Sequence, residues 1–114
     1  NSSAASDVYK RQVMETAKSI REDFLHQNAF HEIDTYTSFE KMVKMIDVII
    51  HFHDCAMDAL QHNVSIMEIT ILPIREDIVR MKFIHEDETE KIDALKKQIS
   101  TAFQKLKEKA VVEA

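Results

Sequence analysis

The sequence predicts an all-α fold, a small bundle or superhelix of about five helices, and three observations carry that reading. First, the chain has 114 residues and no glycine, where average usage of about 7% would supply roughly eight. Glycine provides the positive-φ positions of tight hairpins and of loops that cradle phosphates, so its absence counts against a multi-hairpin β fold and excludes a P-loop or G-x-G-x-x-G turn. Second, apolar residues recur at three- and four-residue spacing over several stretches. Third, two Ser/Thr-x-x-Glu boxes, which satisfy orphan amides at helix starts, stand directly before such stretches.

The elements follow in order. Residues 1–12 (NSSAASDVYKRQ) are small and polar, then basic, and present no apolar stripe. Their DVYKRQ string resembles translated adapter sequence. They read as a non-native scar, either disordered or extending the first helix, and are set aside from the fold argument. The domain is expected over 13–114. Its first helix is predicted over about 13–27, with Val13, Ala17, Ile20, Phe24 and Leu25 as the apolar stripe. Residues 28–36 lose that period and hold Asn28, Asp34 and Thr35, which favour turns.

The box Thr37-Ser38-Phe39-Glu40 then predicts a second helix over about 38–62, with Thr37 as its cap. At 100° per residue its apolar side chains sweep roughly 220°, far wider than the stripe of a surface helix. Such a helix needs cover on several sides and is expected at the centre of the bundle. Its wet strip is predicted to hold Glu40, Lys41, Lys44, Asp47, His51, Asp54, Cys55 and Asp58. His62-Asn63 ends it, because asparagine tolerates the left-handed conformation usually left to glycine. Ser65-Ile66-Met67-Glu68 opens a short helix that Pro73 stops or kinks, and another runs from 74 to about 83. The last helix starts within 86–90, where acidic residues suit the positive helix end. Ile92, Leu95, Ile99, Ala102, Phe103, Leu106 and Ala110 form its stripe, with Asp87–Lys91 and Asp93–Lys97 as expected i,i+4 pairs.

Charge and cysteine usage narrow the partners. The net charge is −5 with no basic block, which argues against nucleic acid. The single cysteine, Cys55, permits no internal disulfide and suits a reducing compartment. No apolar run approaches the ~20 residues that span a bilayer, and no signal-peptide h-region opens the chain, so it reads as cytosolic with no direct membrane insertion. Asp47, His51 and Cys55 share one helix face and could approach a zinc ion, but that face is the solvated strip and no fourth ligand lies nearby; the expected metal set is none. His51 and His53 fall on opposite faces, and His53 is expected in the apolar arc as a hydrogen-bonded core histidine. His31-Glu32 lacks the second histidine of an H-E-x-x-H motif. The methionines at 42, 45, 57 and 67 are read as core filling, with a plastic binding groove as the alternative. No spacing suggests a catalytic triad.

One segment is more specific. Residues 20–30 (IREDFLHQNAF), followed by 31–36 (HEIDTY), resemble the IREDFLQQNAF…VDTY stretch of the catalytic A subunit of A-type and V-type ATP synthases. The likeness continues through Ser38-Phe39-Glu40-Lys41 and through Ile71-Leu72-Pro73-Ile74-Arg75-Glu76, covering about 13–109 and closest to the archaeal type. It implies the C-terminal helical domain of a rotary ATPase catalytic subunit, a fragment that lacks the family's upstream P-loop and is itself inactive. By the same resemblance, Phe24, Gln27, Ala29 and Phe30 border an adenine pocket: a flat base takes an apolar or π wall, and the Gln27 amide can meet its edge. No catalytic residue is expected in this chain.

ATP or ADP with Mg belongs to the parent protein, and the fragment alone is expected to bind none. The implied partners are the parent's nucleotide-binding domain, the B subunit and the central rotor stalk, in a complex peripheral to the membrane that moves H⁺ or Na⁺. His26 and Thr37 depart from the family's usual glutamine and cysteine, and Asn63 from its glycine. Two other readings stay open on the residues alone: a stand-alone helical interaction module using the broad apolar arc, and a metal-binding bundle on Asp47, His51 and Cys55.

Overall fold

In the computed structural model the described residues are 37–113 together with Asp7, Val8, Arg11, Glu15, Lys18 and Glu22. Those six are helical and exposed. The apolar positions of the helix predicted over 13–27 lie outside the described residues. The described chain forms α1 (Phe39–Gln61), α2 (Ile66–Thr70), α3 (Ile74–Arg80), two 3-10 turns (Met81–Phe83 and Glu86–Glu88) and α4 (Glu90–Glu113). No strand occurs among these residues.

Local chemistry explains each boundary. The cap of α1 is Ser38, one residue later than predicted: its Oγ accepts from the Lys41 amide at 3.1 Å. Glu40 does not close the box; the Ser38 amide instead donates to Glu86 Oε1 at 3.2 Å, from a segment distant in sequence. At the other end Asn63 takes φ 67°, the left-handed conformation that the glycine-free chain must give to another residue. With it, Val64 N–H reaches the Ala59 carbonyl at 3.1 Å and Asn63 N–H reaches Leu60 at 3.3 Å, so the last carbonyls of α1 are satisfied. Val64, 1% exposed, seals the turn against the core. Ser65 caps α2 through the Glu68 amide, and Pro73 is the N-cap of α3. Proline costs nothing at such a position, since no helical partner awaits its missing N–H.

The long helices α1 and α4, of 23 and 24 residues, run parallel. Their polar edges pair at a constant offset of 49 residues: Lys44 with Asp93 (3.0 Å), Asp47 with Lys96 (2.7 Å), His51 with Ser100 (2.7 Å) and Asp58 with Lys107 (2.7 Å). A constant difference, rather than a constant sum, requires parallel chains. Parallel neighbours need a crossover, and residues 62–89 supply it with α2, α3 and the two turns.

Between the helices lies the core. Met45, Val48, Ile49, Phe52, Ala56 and Ala59 of α1 meet Ile92, Leu95, Ile99 and Phe103 of α4, with Ile69, Ile78 and Met81 closing it from the crossover. Phe52 and Phe103 pack edge-to-face with centroids 5.2 Å apart.

Several sequence expectations are corrected. Lys41, placed on the wet strip, is 4% exposed; its Nζ donates to the Lys82 carbonyl at 2.9 Å, so burial is offset by a charge-assisted hydrogen bond. Lys91 reaches Glu88, not Asp87, and Asp93 reaches Lys44, not Lys97. Met67 is exposed, whereas Met45 and Met81 do fill the core. His53 is half-buried, its Nδ1 3.7 Å from Asp54. The apolar arc of α1 is covered on one side only among the described residues: Phe39 is 85% exposed, and Val43, Ile46 and Ile50 keep 42–49% of their surface in water. Among the described residues, no helix is long and apolar enough to cross a membrane.

Candidate functional site

Phe24, Gln27, Ala29 and Phe30, the candidate adenine wall, lie outside the described residues. What the structure does define is the base to which that segment connects, the start of α1. Two tethers hold it: the Ser38 amide on Glu86 and the Lys41 ammonium on the Lys82 carbonyl. Both acceptors sit at or beside the 3-10 turns that precede α4. The Ser38 hydrogen bonds hold the Glu86 carboxyl below the usual carboxylate range, and the Lys41 charge adds to this. The carboxylate also faces the positive end of the α1 dipole.

From this base, α1 and α4 extend side by side for about 35 Å at 1.5 Å per residue. The ladder of charges runs along one edge. Its polarity reverses once, Lys44–Asp93 against Asp47–Lys96 and Asp58–Lys107, so a slip of one turn places Asp47 beside Asp93 or Lys44 beside Lys96. Hydrogen bonding to Lys107 lowers the Asp58 pKa, and hydrogen bonding to Asp93 raises that of Lys44. Each exposed pair contributes little energy, but the set specifies one register. The result is a stiff two-helix rod anchored at one end. Sequence reading placed Lys44, Asp47 and Asp58 on a solvated strip and did not assign them partners. The usable signal was opposite charge at matching three- and eleven-residue intervals in both helices.

The trio considered for zinc behaves differently from a ligand set. Asp47 is taken by Lys96, while His51 Nε2 sits 2.7 Å from Ser100 Oγ and 3.5 Å from Cys55 Sγ. Burial pushes the Cys55 thiol up, away from thiolate character. Among the described residues, no three His, Cys, Asp or Glu side chains converge on a position for a metal ion. A separate open groove of about 220 Å³ lies where Asp77, Arg80, Lys91 and Gln98 rim Met81, Ile84 and Leu95. Its mixed charges and openness give no defined ligand chemistry.

The chain is 46% identical over 104 residues to the V-type ATP synthase alpha chain of Thermoanaerobacter sp. (strain X514), covering 91% of this chain and 18% of that protein. It is 45% identical over 102 residues to the A-type ATP synthase A subunit of Methanopyrus kandleri, covering 89% and 17%. With the V-type ATP synthase alpha chain of Acetivibrio thermocellus it shares 53% identity over 78 residues, covering 68% and 13%. The chain therefore spans less than a fifth of the length of these curated relatives. The family described as the C-terminal domain of V and A type ATP synthase matches residues 7–70, more than half of the chain. By that match, the chain belongs to the family of C-terminal domains of V- and A-type ATP synthases.

Proposed function

We propose that this chain works as the C-terminal helical part of the catalytic A subunit of a rotary ATPase, peripheral to the membrane on its cytoplasmic side. The observation that carries the reading is identity of 45–46% to alpha chains and A subunits over about nine-tenths of the chain. In this role the α1–α4 rod is a lever. Phe24, Gln27, Ala29 and Phe30 border the adenine ring of ATP or ADP. Opening and closing of the nucleotide site, together with Mg, takes place in the remainder of the parent protein. A lever must transmit displacement without bending, and a buried core flanked by a register-fixing ladder gives that stiffness. The motion couples ATP hydrolysis or synthesis to the rotor stalk and to H⁺ or Na⁺ movement, alongside the B subunit.

Phe30→Ala in the full-length parent protein tests the adenine assignment. A base–aromatic contact is worth about 1–3 kcal/mol, so the ATP dissociation constant should rise roughly five- to hundredfold while the melting temperature stays close to wild type. Unchanged affinity beside a large fall in melting temperature would make Phe30 a packing residue instead. The 114-residue chain alone should show no magnesium-dependent ATP turnover; turnover by the pure chain would overturn the division of roles.

A further inference from the structure

The rod is held differently along its length. From Met45 onward α1 is buried through apolar side chains, but within residues 37–44 the one buried residue is Lys41. The segment it meets, residues 82–91, holds no buried residue. Contact at this end is therefore polar, through groups that recur every three residues at the entry of α1. The Ser38 amide donates to Glu86 Oε1 at 3.2 Å, the Lys41 ammonium to the Lys82 carbonyl at 2.9 Å, and the Lys44 ammonium to Thr89 Oγ1 at 3.3 Å.

Stability alone does not account for Lys41. A buried ammonium carries a desolvation cost that an apolar side chain of similar length avoids, and replacing buried charge by such side chains is often neutral or stabilising. What the ammonium adds over methionine is direction: its bond to one carbonyl fixes the entry of α1 against the crossover. Glu86 adds a second fixed point, since its carboxylate accepts from the Ser38 amide and lies within the field of the Lys41 charge. Phe30 precedes Ser38 by eight positions, so the placement of Ser38 bounds that of the candidate adenine wall.

We propose that Lys41 and Glu86 are positioning residues for the nucleotide site: together they clasp the entry of α1 to residues 82–89 and so set where the adenine-bordering segment is anchored. This role rests on the adenine reading of Phe24, Gln27, Ala29 and Phe30, and adds to it two residues that act without touching the nucleotide.

Binding of ATP and of tripolyphosphate, which has no base, to the full-length parent protein tests it. Lys41→Met should raise the ATP dissociation constant about five- to thirtyfold, because a base–aromatic contact is what weakens, and should leave that of tripolyphosphate within about twofold. Glu86→Gln should act in the same direction, and the double variant should lose less than the product of the two single effects. Lys105→Met, the same change at an exposed site of α4, should alter neither ligand. In the 114-residue chain, amides of residues 42–45 should exchange about tenfold faster in Lys41→Met while those of 49–60 are unchanged. If Lys41→Met fails to fold, Glu86→Gln carries the same comparisons. Equal losses of ATP and tripolyphosphate, or exchange that quickens throughout α1, would make the clasp a purely structural contact and overturn the proposal. ATP affinity that falls in Phe30→Ala but not in Lys41→Met would overturn it while the adenine reading stands. If neither substitution moves ATP affinity, the adenine reading falls and the proposal with it.

Discussion

The two sides of α1 are equally apolar in sequence and differ sharply in the structure. One side, through Val48, Phe52 and Ala56, is buried to within a few per cent against α4. The other, through Val43, Ile46 and Ile50, keeps nearly half its surface in water among the described residues. The difference shows that the width of an apolar arc states how much cover a helix needs and leaves open which segment gives it. What selects α4 for the first side is the polar edge. Charges at 44, 47 and 58 find complements at 93, 96 and 107.

The largest expected contrast is in stability. Phe52→Ala opens a cavity beside Phe103 and should cost about 3–5 kcal/mol, whereas Ile46→Ala should cost about 1 kcal/mol. Chemical denaturation of the two variants checks this, and equal losses would erase the distinction between the sides.

A smaller effect sharpens the role of the ladder. Asp47→Lys should cost up to about 1 kcal/mol, and adding Lys96→Asp should recover most of it. A double-mutant cycle with no coupling would mean the edge charges do not fix register. The smallest expected effect is in acid. Asp58 and Glu86 have pKa values lowered in the fold, so their contribution is complete above the ordinary carboxylate values near pH 4 and is lost as pH falls through the lowered ones. Stability should be flat from about pH 7 to 5 and fall below about pH 4, with Asp58→Asn blunting the fall. Melting temperature against pH reads it directly.

Much of this fold was legible from local chemistry. Ser65 and Glu68 mark the start of α2, Asn63 marks the turn after α1, Pro73 separates α2 from α3, and the 92–95–99–103 stripe of α4 appears as predicted. These signals act within one or two helical turns. The misplacements share the opposite property. Lys41 is buried because the crossover brings the Lys82 carbonyl to it, and Glu86 replaces Glu40 at the α1 cap for the same reason. Both contacts span more than forty residues, a range that periodicity does not report. Asp93 likewise prefers Lys44 across the interface to Lys97 on its own helix. The proposed adenine wall of Phe24, Gln27, Ala29 and Phe30 rests on resemblance alone, since Phe24 and Phe30 carry no spacing that separates a base wall from a core.

The constant offset of 49 residues also has a kinetic consequence. Helical domains usually fold fast because their contacts are local in the chain. Here the principal contact joins two helices through a crossover, so neither can seal the core until residues 62–89 have turned back. Loop closure over that distance is an entropic barrier that grows only slowly with length, but it stands in front of almost every buried contact between α1 and α4. The domain should therefore fold more slowly than an up-and-down bundle of equal size. Substitutions that loosen the Asn63 turn should slow folding in addition to speeding unfolding.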